Sequence, residues 1–489
     1  MSIQQITQNA QQAFEQYIAT SNQQRAAFLE SIAEEIEALG DALLDTANKE
    51  THLPLPRLQG ERGRTCFQLR MFAAMLLKGD YVDAIIETAI PTKTPPKPDI
   101  RSMYQPLGPV VVFGASNFPF AYSTAGGDTA SALAVGCPVI VKAHPAHIQT
   151  SNLVAGAIEK AIVKHQMPKN IFQHVDAASL GVNEMDLGKA LVQDEAIAAV
   201  GFTGSRNGGR ALLDYATSRK NPIPVFAEMG SVNPVILLEE IVATDAENLA
   251  SQYAGSITLG MGQFCTNPGI LIGIQSKALN DFAHLLSNKM SELVPVSMLH
   301  EGIQAAYFAH ATKAIEQKGV CVYTSKNPEA TNAYPVLATV DGKAFLSNPL
   351  LAEEVFGPYS ILVQCKDMQE LQEVWASVKG QITTTIMGTE KELNNQKVLL
   401  DKAFLWAGRV VINGVPTGVE VCDSMVHGGP YPASTDSRFT AVGVHASKRW
   451  LRPVSYQNWP DNLLPLALQN KNPLNITRTI NGQPSKESL

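Results

Sequence analysis

The first 85 residues have the hydrophobic spacing of amphipathic helices. A capping box at Ser21-Asn-Gln-Gln24 marks a helix start. Apolar residues then recur every three or four positions, which places them on one face of a helix: Phe28, Ile32, Ile36, Leu39 and Leu43. We expect this region to be helical and to supply packing surface rather than a site.

From Gly108 onward, short apolar runs alternate with helical patterns. The runs predict strands at Val110 to Phe113, Val139 to Val141, Phe172 to Val175, Ala198 to Phe202 and Val225 to Glu228. Fully apolar strands between helices are typical of a parallel sheet that is covered on both faces. A second block of this kind runs from Val235 to Asn413. The pattern predicts an α/β fold with two doubly wound domains, which bind ligands at the carboxyl ends of their strands.

Two other segments do not fit that alternation. Residues 91–100 are too rich in proline for a regular helix or a central strand, so they are expected to cross between other elements. The tail from Thr440 to Leu489 is rich in proline and asparagine, yet it contains Trp450, Leu451 and Trp459. Apolar side chains on so irregular a segment indicate docking on another surface, such as a second subunit.

Composition narrows the class of protein. The chain has 489 residues, of which 45% are hydrophobic and 17% charged, as in ordinary globular proteins with two or three domains. A net charge of −7 argues against general affinity for nucleic acid or an anionic membrane. No apolar run approaches the roughly 20 residues of a membrane span, so a cytoplasmic location is expected.

The cysteines and histidines predict neither disulfides nor a metal site. The six cysteines are scattered, with no CxxC pair and no Cys/His cluster at metal-ligand spacing. His144 and His147 lie three residues apart, but no third ligand is near them in the sequence.

One cysteine stands in a setting that suits chemistry. Cys265 lies between a small-residue run and the turn sequence Asn267-Pro268-Gly269, where nearby glycines allow backbone to approach a substrate closely. A thiol attacks as its thiolate, so it needs helpers from elsewhere in the chain. On this stretch alone, a small buried hydrophobic role for the cysteine is the more frequent one.

Three polar residues at predicted strand ends are further candidates. Glu228 closes an apolar strand, where desolvation would raise its pKa toward the range of a general base, although an ion-paired carboxylate is equally compatible. Lys142 follows another strand and could meet a ribose hydroxyl or a phosphate. Asn117 precedes Pro119 and by itself favours a simple Asx turn.

Taken in order, the motifs resemble those of the aldehyde dehydrogenase superfamily over nearly the whole chain. They are Asn117-Phe-Pro119, Lys142, Phe202-Thr-Gly-Ser205 with Gly209, Glu228-Met-Gly-Ser, Gly262-Gln-Phe-Cys265, Glu353-Glu-Val-Phe-Gly-Pro358 and Asn413. The resemblance implies that Cys265 attacks an aldehyde to form a thiohemiacetal, which loses hydride to a nicotinamide and leaves a thioester. It implies that Asn117 stabilises the oxyanion and that Glu228 activates water.

The same resemblance implies a cofactor site for NAD or NADP. Lys142 would hold the adenosine ribose, and Gly204, Ser205 and Gly209 the pyrophosphate at a helix start. Glu354 would bind the nicotinamide ribose and Phe356 would back the ring. Many relatives have a glutamate three residues after the lysine, where this chain has Pro145, so NADP should be tolerated or preferred.

The same resemblance also implies a substrate and an oligomeric state. The segments around Asn117, Lys142, Asn413 and His427 look most like the branch that oxidises 2-oxoglutarate semialdehyde (2,5-dioxopentanoate), with Arg438 as the candidate anchor for the substrate carboxylate. NADP-linked enzymes for long-chain aldehydes belong to the same branch and remain an alternative. Two further alternatives are an enzyme that transfers the acyl group to coenzyme A and a non-catalytic relative of the family. A homodimer or homotetramer is expected.

The resemblance also implies a three-part organisation. Residues 1–85 and 105–229 would form the NAD(P)-binding domain, and residues 230–439 the catalytic domain. Residues 86–104 and 440–489 would form a small bridging β segment used between subunits.

Overall fold

A computed structural model describes residues 2–323, 332–378 and 380–489. The predicted domain ranges also include Met1, residues 324–331 and Lys379, which lie outside the described residues. The helices of the described part are α1 (Ile3–Tyr17), α2 (Asn22–Ala38), α3 (Gly40–Thr51), α4 (Leu55–Lys78), α5 (Gly127–Ala134), α6 (Ile148–Lys164), α7 (Ala177–Leu180), α8 (Glu184–Gln193), α9 (Arg206–Thr217), α10 (Glu239–Thr258), α11 (Lys277–Ser291), α12 (Glu301–Ile315), α13 (Gly342–Ser347), α14 (Met368–Ser377), α15 (Glu390–Asn395) and α16 (Lys397–Leu400).

The strands of the described part form three separate sheets. They are β1 (Ile85–Glu87), β2 (Ile100–Pro106), β3 (Val110–Phe113), β4 (Val139–Lys142), β5 (Phe172–Val175), β6 (Ala199–Thr203), β7 (Val225–Glu228), β8 (Val235–Leu237), β9 (Ile270–Ile274), β10 (Cys321–Val322), β11 (Val336–Asp341), β12 (Tyr359–Cys365), β13 (Gln381–Met387), β14 (Ala407–Ile412), β15 (Leu451–Gln457), β16 (Arg478–Ile480) and β17 (Gln483–Ser485). The predicted α/β fold class is confirmed.

The first sheet has the order β5-β4-β3-β6-β7, and all of its strands are parallel. Strands β3, β4 and β7 are buried along their length, as the uninterrupted apolar runs predicted, whereas β6 is partly exposed at its last two residues. From β3 the chain continues to β4 on one side, whereas β6 lies on the other side of β3. Such a reversal opens a crevice beyond the carboxyl ends of the strands, and that crevice is where ligands bind.

Helices of the N-terminal region cover one face of this sheet. Ser21 caps α2, and its capping box with Gln24 is formed as predicted. Phe28, Ile32 and Ile36 of α2 are buried in the core that includes strands β3 and β4. The hydrophobic face read from the sequence therefore packs on the sheet that carries the crevice.

The second sheet has the order β10-β11-β12-β9-β8-β13-β14. Its strands are parallel except for β10, which pairs antiparallel with β11 at one edge. The loop that carries Cys265 enters this sheet at β9. Thus a residue of the second sheet's domain can reach the crevice of the first.

The third sheet joins the segment before β3 to the tail, in the order β15-β2-β1-β16-β17. Residues 440–450 lie outside it: the Trp450 side chain is fully buried against the first domain, and its indole N–H donates to Ser131 Oγ (2.8 Å). The surface on which Trp450 docks is therefore in the same chain. Trp459 is about half exposed, and the use of this sheet between subunits remains a prediction.

Across the three described ranges, no helix combines the length and the apolar character that crossing a membrane would require.

Candidate active site

A cavity of about 630 Å³ lies beyond the carboxyl ends of the first sheet. That volume is typical of a site for a small molecule or cofactor. Most of the residues singled out from the sequence line its wall: Asn117, Pro145, Gly204, Ser205, Glu228, Cys265, Glu354 and Phe356. The fold thus brings together motifs that are more than two hundred residues apart in the chain.

The loop of Cys265 is held rigidly by its neighbours. Asn233 donates through Nδ2 to the carbonyl oxygens of Cys265 and Asn267, both at 2.8 Å. Gly262 has a φ of +64°, and a Cβ there would lie 2.2 Å from the carbonyl oxygen of Gly357. Glycine is therefore required where the thiol loop meets the loop that follows Phe356.

Cys265 is partly exposed to the cavity, and its thiol is protonated at neutral pH. Burial raises the pKa of Cys265 to about 12, and the carboxylates of Glu228 and Glu354 add to this effect. A low-pKa thiolate is therefore absent from the resting site, so the thiol needs a group that removes its proton.

Glu228 is the last residue of β7 and is only 5% exposed. Neither of its carboxylate oxygens accepts a hydrogen bond from the described residues. Burial raises the pKa of Glu228 to about 8, Asp128 contributes in the same direction, and Arg449 opposes it. Such a carboxylate can take up a proton near neutral pH, which is what a general base requires.

His427 lies between the two, although the sequence reasoning gave it no role. Its Nε2 is 3.5 Å from Cys265 Sγ and 3.3 Å from Glu228 Oε2. Its backbone N–H donates to Thr440 Oγ1 (2.9 Å), which fixes the loop. Burial lowers the pKa of His427 to about 3, helped by Arg64 and Arg409, so the ring is neutral. The only signal in the sequence was its position at the start of the segment likened to one branch of the family.

Asn117 reaches the thiol loop from the end of β3. Its Nδ2 donates to the carbonyl oxygen of Gln263 (3.1 Å), two residues before Cys265. Because an amide carries two N–H groups, one remains for a ligand at the thiol. The residue is 8% exposed and lines the cavity.

Arg57 of α4 supports Asn117 from behind. Its Nη2 donates to the carbonyl oxygen of Asn117 (2.7 Å), and its guanidinium lies 5.2 Å from the ring centre of Phe118 and 4.7 Å from that of Phe264. Arg57 Nη1 is buried and has no hydrogen-bond partner among the described residues. Within the region expected to supply packing surface, Arg57 therefore also holds the loop that carries Asn117.

The other end of the cavity is formed by the start of α9. Ser205 caps this helix and accepts a hydrogen bond from the N–H of Gly208 (3.2 Å). Gly204, Ser205 and Gly208 line the wall, so the free N–H groups of the first helical turn face an open space. A helix start of this kind fits the pyrophosphate of a dinucleotide.

Gly209 has a different position from the one implied by the resemblance. It is buried and does not line the cavity. A Cβ at Gly209 would lie 2.7 Å from the Met229 side chain, so the glycine allows α9 to pack closely on the residue after β7. Its contribution to the cofactor site is therefore through packing.

Lys142 ends β4 and is 8% exposed. Its ammonium group forms an ion pair with the carboxylate of Glu184, the first residue of α8. Burial lowers the pKa of Lys142 to about 8, and Asp176 opposes this shift. Glu184 was not among the residues singled out from the sequence.

Glu354 and Phe356 close the cavity from the second domain. Glu354 Oε1 accepts a hydrogen bond from the N–H of Ser231 (3.2 Å), and burial raises the pKa of Glu354 to about 7. A Cβ at Gly230 would lie 2.1 Å from Glu354 Oε2, so only glycine permits this approach. Both residues face the same space as Cys265.

Arg438 is not brought to the cavity. Its side chain is 78% exposed, and its Nη2 pairs with Asp436 Oδ2 at 2.5 Å. A substrate carboxylate in the cavity would therefore need another anchor. Within the three described ranges, there is no group of three or more His, Cys, Asp or Glu that could hold a metal ion.

Comparison with known proteins shows which chains this one is similar to. Residues 1–438 match the model of the aldehyde dehydrogenase family. The chain is 47% identical to alpha-ketoglutaric semialdehyde dehydrogenase 2 of Azospirillum brasilense, over 97% of this chain and 90% of the relative. It is also 47% identical to an alpha-ketoglutaric semialdehyde dehydrogenase of Acinetobacter baylyi, over 98% of this chain and 91% of the relative.

Solved structures share the fold at lower identity. Glyceraldehyde-3-phosphate dehydrogenase GapN of Methanocaldococcus jannaschii, complexed with NADP, matches with a TM-score of 0.78 and 19% identity over 93% of each chain. Methylmalonate-semialdehyde dehydrogenase of Oceanimonas doudoroffii matches with a TM-score of 0.76 and 19% identity, covering 94% of this chain and 90% of that one.

Proposed function

The chain belongs to the aldehyde dehydrogenase family, and from that membership we propose that it oxidises 2-oxoglutarate semialdehyde to 2-oxoglutarate. As a member of the family it is an NAD(P)-dependent enzyme. The observation that carries the proposal is the cavity in which Cys265, Asn117 and Glu228 meet at one end of a dinucleotide-sized space. The substrate is inferred from two relatives that are 47% identical to this chain, both of which are alpha-ketoglutaric semialdehyde dehydrogenases.

In the proposed reaction, Cys265 Sγ forms a bond to the aldehyde carbon. Because the thiol is protonated, its proton has to leave as that bond forms. His427 Nε2 contacts both Sγ and Glu228 Oε2, so it can pass this proton to the carboxylate. With a pKa of about 8, Glu228 is ionised in only a fraction of the molecules at neutral pH, and this ionised fraction, which grows as the pH rises, is the one that accepts the proton.

The oxygen of the substrate gains negative charge in this step. The free N–H of the Asn117 amide and the backbone N–H of Cys265 are the donors that we propose for it. Loss of one such donor typically lowers the rate by about 10²–10³-fold. Arg57 holds Asn117 through its carbonyl oxygen and so keeps the amide in position.

Oxidation and hydrolysis complete the cycle. A bound NAD(P) would supply the hydride acceptor that oxidation of the thiohemiacetal carbon requires. Glu228 releases the first proton to solvent and then removes a proton from the water that attacks the thioester. The carbon–sulfur bond breaks, the acid leaves, and the proton on Glu228 returns to the Cys265 thiolate. One aldehyde, one water and one oxidised cofactor give one acid, one reduced cofactor and one proton. A carboxylate placed to activate water favours hydrolysis over transfer to coenzyme A.

We assign the cofactor to groups that line the rest of the cavity and to Lys142 at the end of β4. The start of α9 at Gly204 and Ser205 would hold the pyrophosphate, and Lys142 the adenosine ribose. Glu354 would bind the nicotinamide ribose, with Phe356 behind the ring.

For the substrate carboxylate we propose Arg57 in place of Arg438. Arg57 has a buried N–H group without a partner, and it packs on Phe118, which lines the cavity. An unpaired buried donor on a cation is strongly stabilised by a carboxylate.

The test is the rate of NADH and NADPH formation by the purified protein with 2-oxoglutarate semialdehyde, hexanal and decanal. We expect the semialdehyde to have the highest kcat/KM by at least about 10²-fold, since only it can pair with a buried cation. Cys265→Ala should abolish the reaction, because removing the nucleophile of such enzymes costs about 10⁶-fold. Cys422→Ala, at a thiol outside the cavity, is the matched control.

Other outcomes would change the assignment. A preference for decanal would keep the mechanism and reject the substrate. Reduction of neither cofactor with any aldehyde would reject the dehydrogenase.

A further inference from the structure

Glu184 pairs with Lys142, the lysine after which the chain lacks the expected carboxylate. Pro145 stands three residues after Lys142, and it lines the cavity without offering an acceptor. The carboxylate on Lys142 comes instead from α8, 42 residues further along the chain. The residues next to Lys142 in the sequence therefore do not show the negative charge that the fold places beside this lysine.

The sheet explains how Glu184 reaches Lys142. Strand β5 lies next to β4, with Val175 opposite Lys142 in the register. The chain leaves β5 at Asp176, turns through α7 and begins α8 at Glu184. Both Asp176 and Glu184 are thus delivered to the carboxyl end of β4.

We propose that Glu184 accepts hydrogen bonds from the hydroxyls of the adenosine ribose and makes the enzyme prefer NAD over NADP. This inference rests on the proposed function, because it concerns the cofactor of that reaction. A carboxylate accepts two hydrogen bonds from a ribose diol, and Lys142 adds a donor beside it. The expectation from Pro145 alone, that NADP is tolerated or preferred, is thereby reversed.

A 2′-phosphate would meet an unfavourable charge at this place. It brings nearly two negative charges and offers no donor, so it would repel a carboxylate at hydrogen-bonding distance. Lys142 supplies one positive charge, whereas Glu184 and Asp176 supply two negative ones. The arginines at the start of α9 are engaged elsewhere: Arg206 lies over the Tyr431 ring, and Arg210 pairs with Asp214.

The test is calorimetric binding of NAD and NADP to the enzyme without aldehyde. For Glu184→Gln we expect weaker binding of NAD and tighter binding of NADP, with the ratio of the two Kd values changing by about ten-fold or more. Glu184→Asp, which keeps the charge on a shorter side chain, should retain discrimination against NADP. Glu159→Gln on the exposed face of α6 removes the same charge away from the cavity and should leave the ratio unchanged.

The outcomes separate this inference from the proposed function. Binding of both cofactors with the same ratio in the wild-type protein and in Glu184→Gln would overturn the role of Glu184 alone. Tighter binding of NADP than of NAD by the wild-type protein would do the same. Binding of neither cofactor by the wild-type protein would overturn the dehydrogenase as well. Because Glu184 is 41% exposed, the variants should fold, and unfolding temperatures without cofactor check this.

Discussion

The two ends of the cavity differ in how far their polar and charged groups are paired. At the cofactor end, the wall includes Gly204 and Ser205 at the start of α9, and Lys142 pairs with Glu184 at the end of β4. At the reaction end, neither buried oxygen of Glu228 accepts a hydrogen bond from the described residues, beside a neutral His427 and a protonated Cys265.

That difference separates binding from reactivity. At the cofactor end, Lys142 is paired with Glu184 and Ser205 caps α9, so these groups have partners before a ligand binds and cost the fold little. The reaction end holds an unpaired carboxylate in a buried place, which is costly unless the group is protonated. Strongly shifted pKa values are typical of sites that move protons. A change at the reaction end should therefore alter rates while leaving the Kd of the cofactor unchanged.

Among variants that keep the nucleophile, the largest effect is expected for His427→Gln. Without the imidazole between Cys265 Sγ and Glu228 Oε2, we expect kcat/KM to fall by about 10²-fold, the lower range of general acid–base contributions. The rate of Cys265 alkylation by iodoacetamide should fall as well, and its pH dependence should shift to higher pH. The Kd of NAD should stay the same. Full activity in the variant would mean that Cys265 and Glu228 exchange the proton without this ring.

A matched control is available on the surface. His445 is exposed and lies outside the cavity, so His445→Gln should change none of these values. An equal loss in both variants would indicate a general effect on folding.

A smaller effect is expected for Arg57→Met. Loss of the proposed anchor should raise the KM for 2-oxoglutarate semialdehyde by about ten-fold relative to that for hexanal, since a charge-assisted hydrogen bond contributes about 1.5–3 kcal/mol. The kcat should fall for both aldehydes, because the carbonyl of Asn117 loses its donor. Arg57→Lys, which keeps the charge, should recover part of the KM difference.

The exposed arginine provides the comparison for this experiment. Arg438→Ala should leave both KM values unchanged, because Arg438 lies outside the cavity and pairs with Asp436. Equal KM changes for the charged and uncharged aldehydes in Arg57→Met would reject Arg57 as the anchor. A selective change in Arg438→Ala would restore the residue first favoured from the sequence.

The frame of the site could be predicted because it follows from local sequence. Apolar runs located the parallel strands, and parallel strands end at one edge, so Lys142 and Glu228 were expected there. Ordered motifs with recognisable neighbours identified Cys265 and the start of α9. The strand ends needed only local sequence and the rules of sheet topology, whereas the roles of Cys265 and of the start of α9 came from the resemblance of the ordered motifs to a family.

The remaining residues could not be predicted because their roles depend on distant contacts. His427 is 162 residues from Cys265, and Arg57 is 60 residues from Asn117. Neither hydrophobic periodicity nor a turn motif reports which side chain will lie opposite another across domains. Gly209 illustrates a second limit: a glycine that lets a helix pack on Met229 has the same sequence signature as one that contacts a phosphate.

The smallest effect is expected on the free energy of unfolding. Its pH dependence measures directly what it costs to bury the Glu228 carboxylate at the reaction end. The pKa of Glu228 rises from an ordinary value of 4.5 to about 8 in the folded protein. Between these values the folded state binds a proton that the unfolded state has lost, so stability falls as pH rises, by at most about 1.4 kcal/mol per pH unit for this group. Glu228→Gln cannot ionise and should lose this slope, which urea unfolding at pH 5 to 9 will measure. Glu353→Gln, with its side chain 68% exposed, should keep the slope. The same pH dependence in all three proteins would mean that Glu228 is solvated and that the two ends of the cavity differ less than we infer.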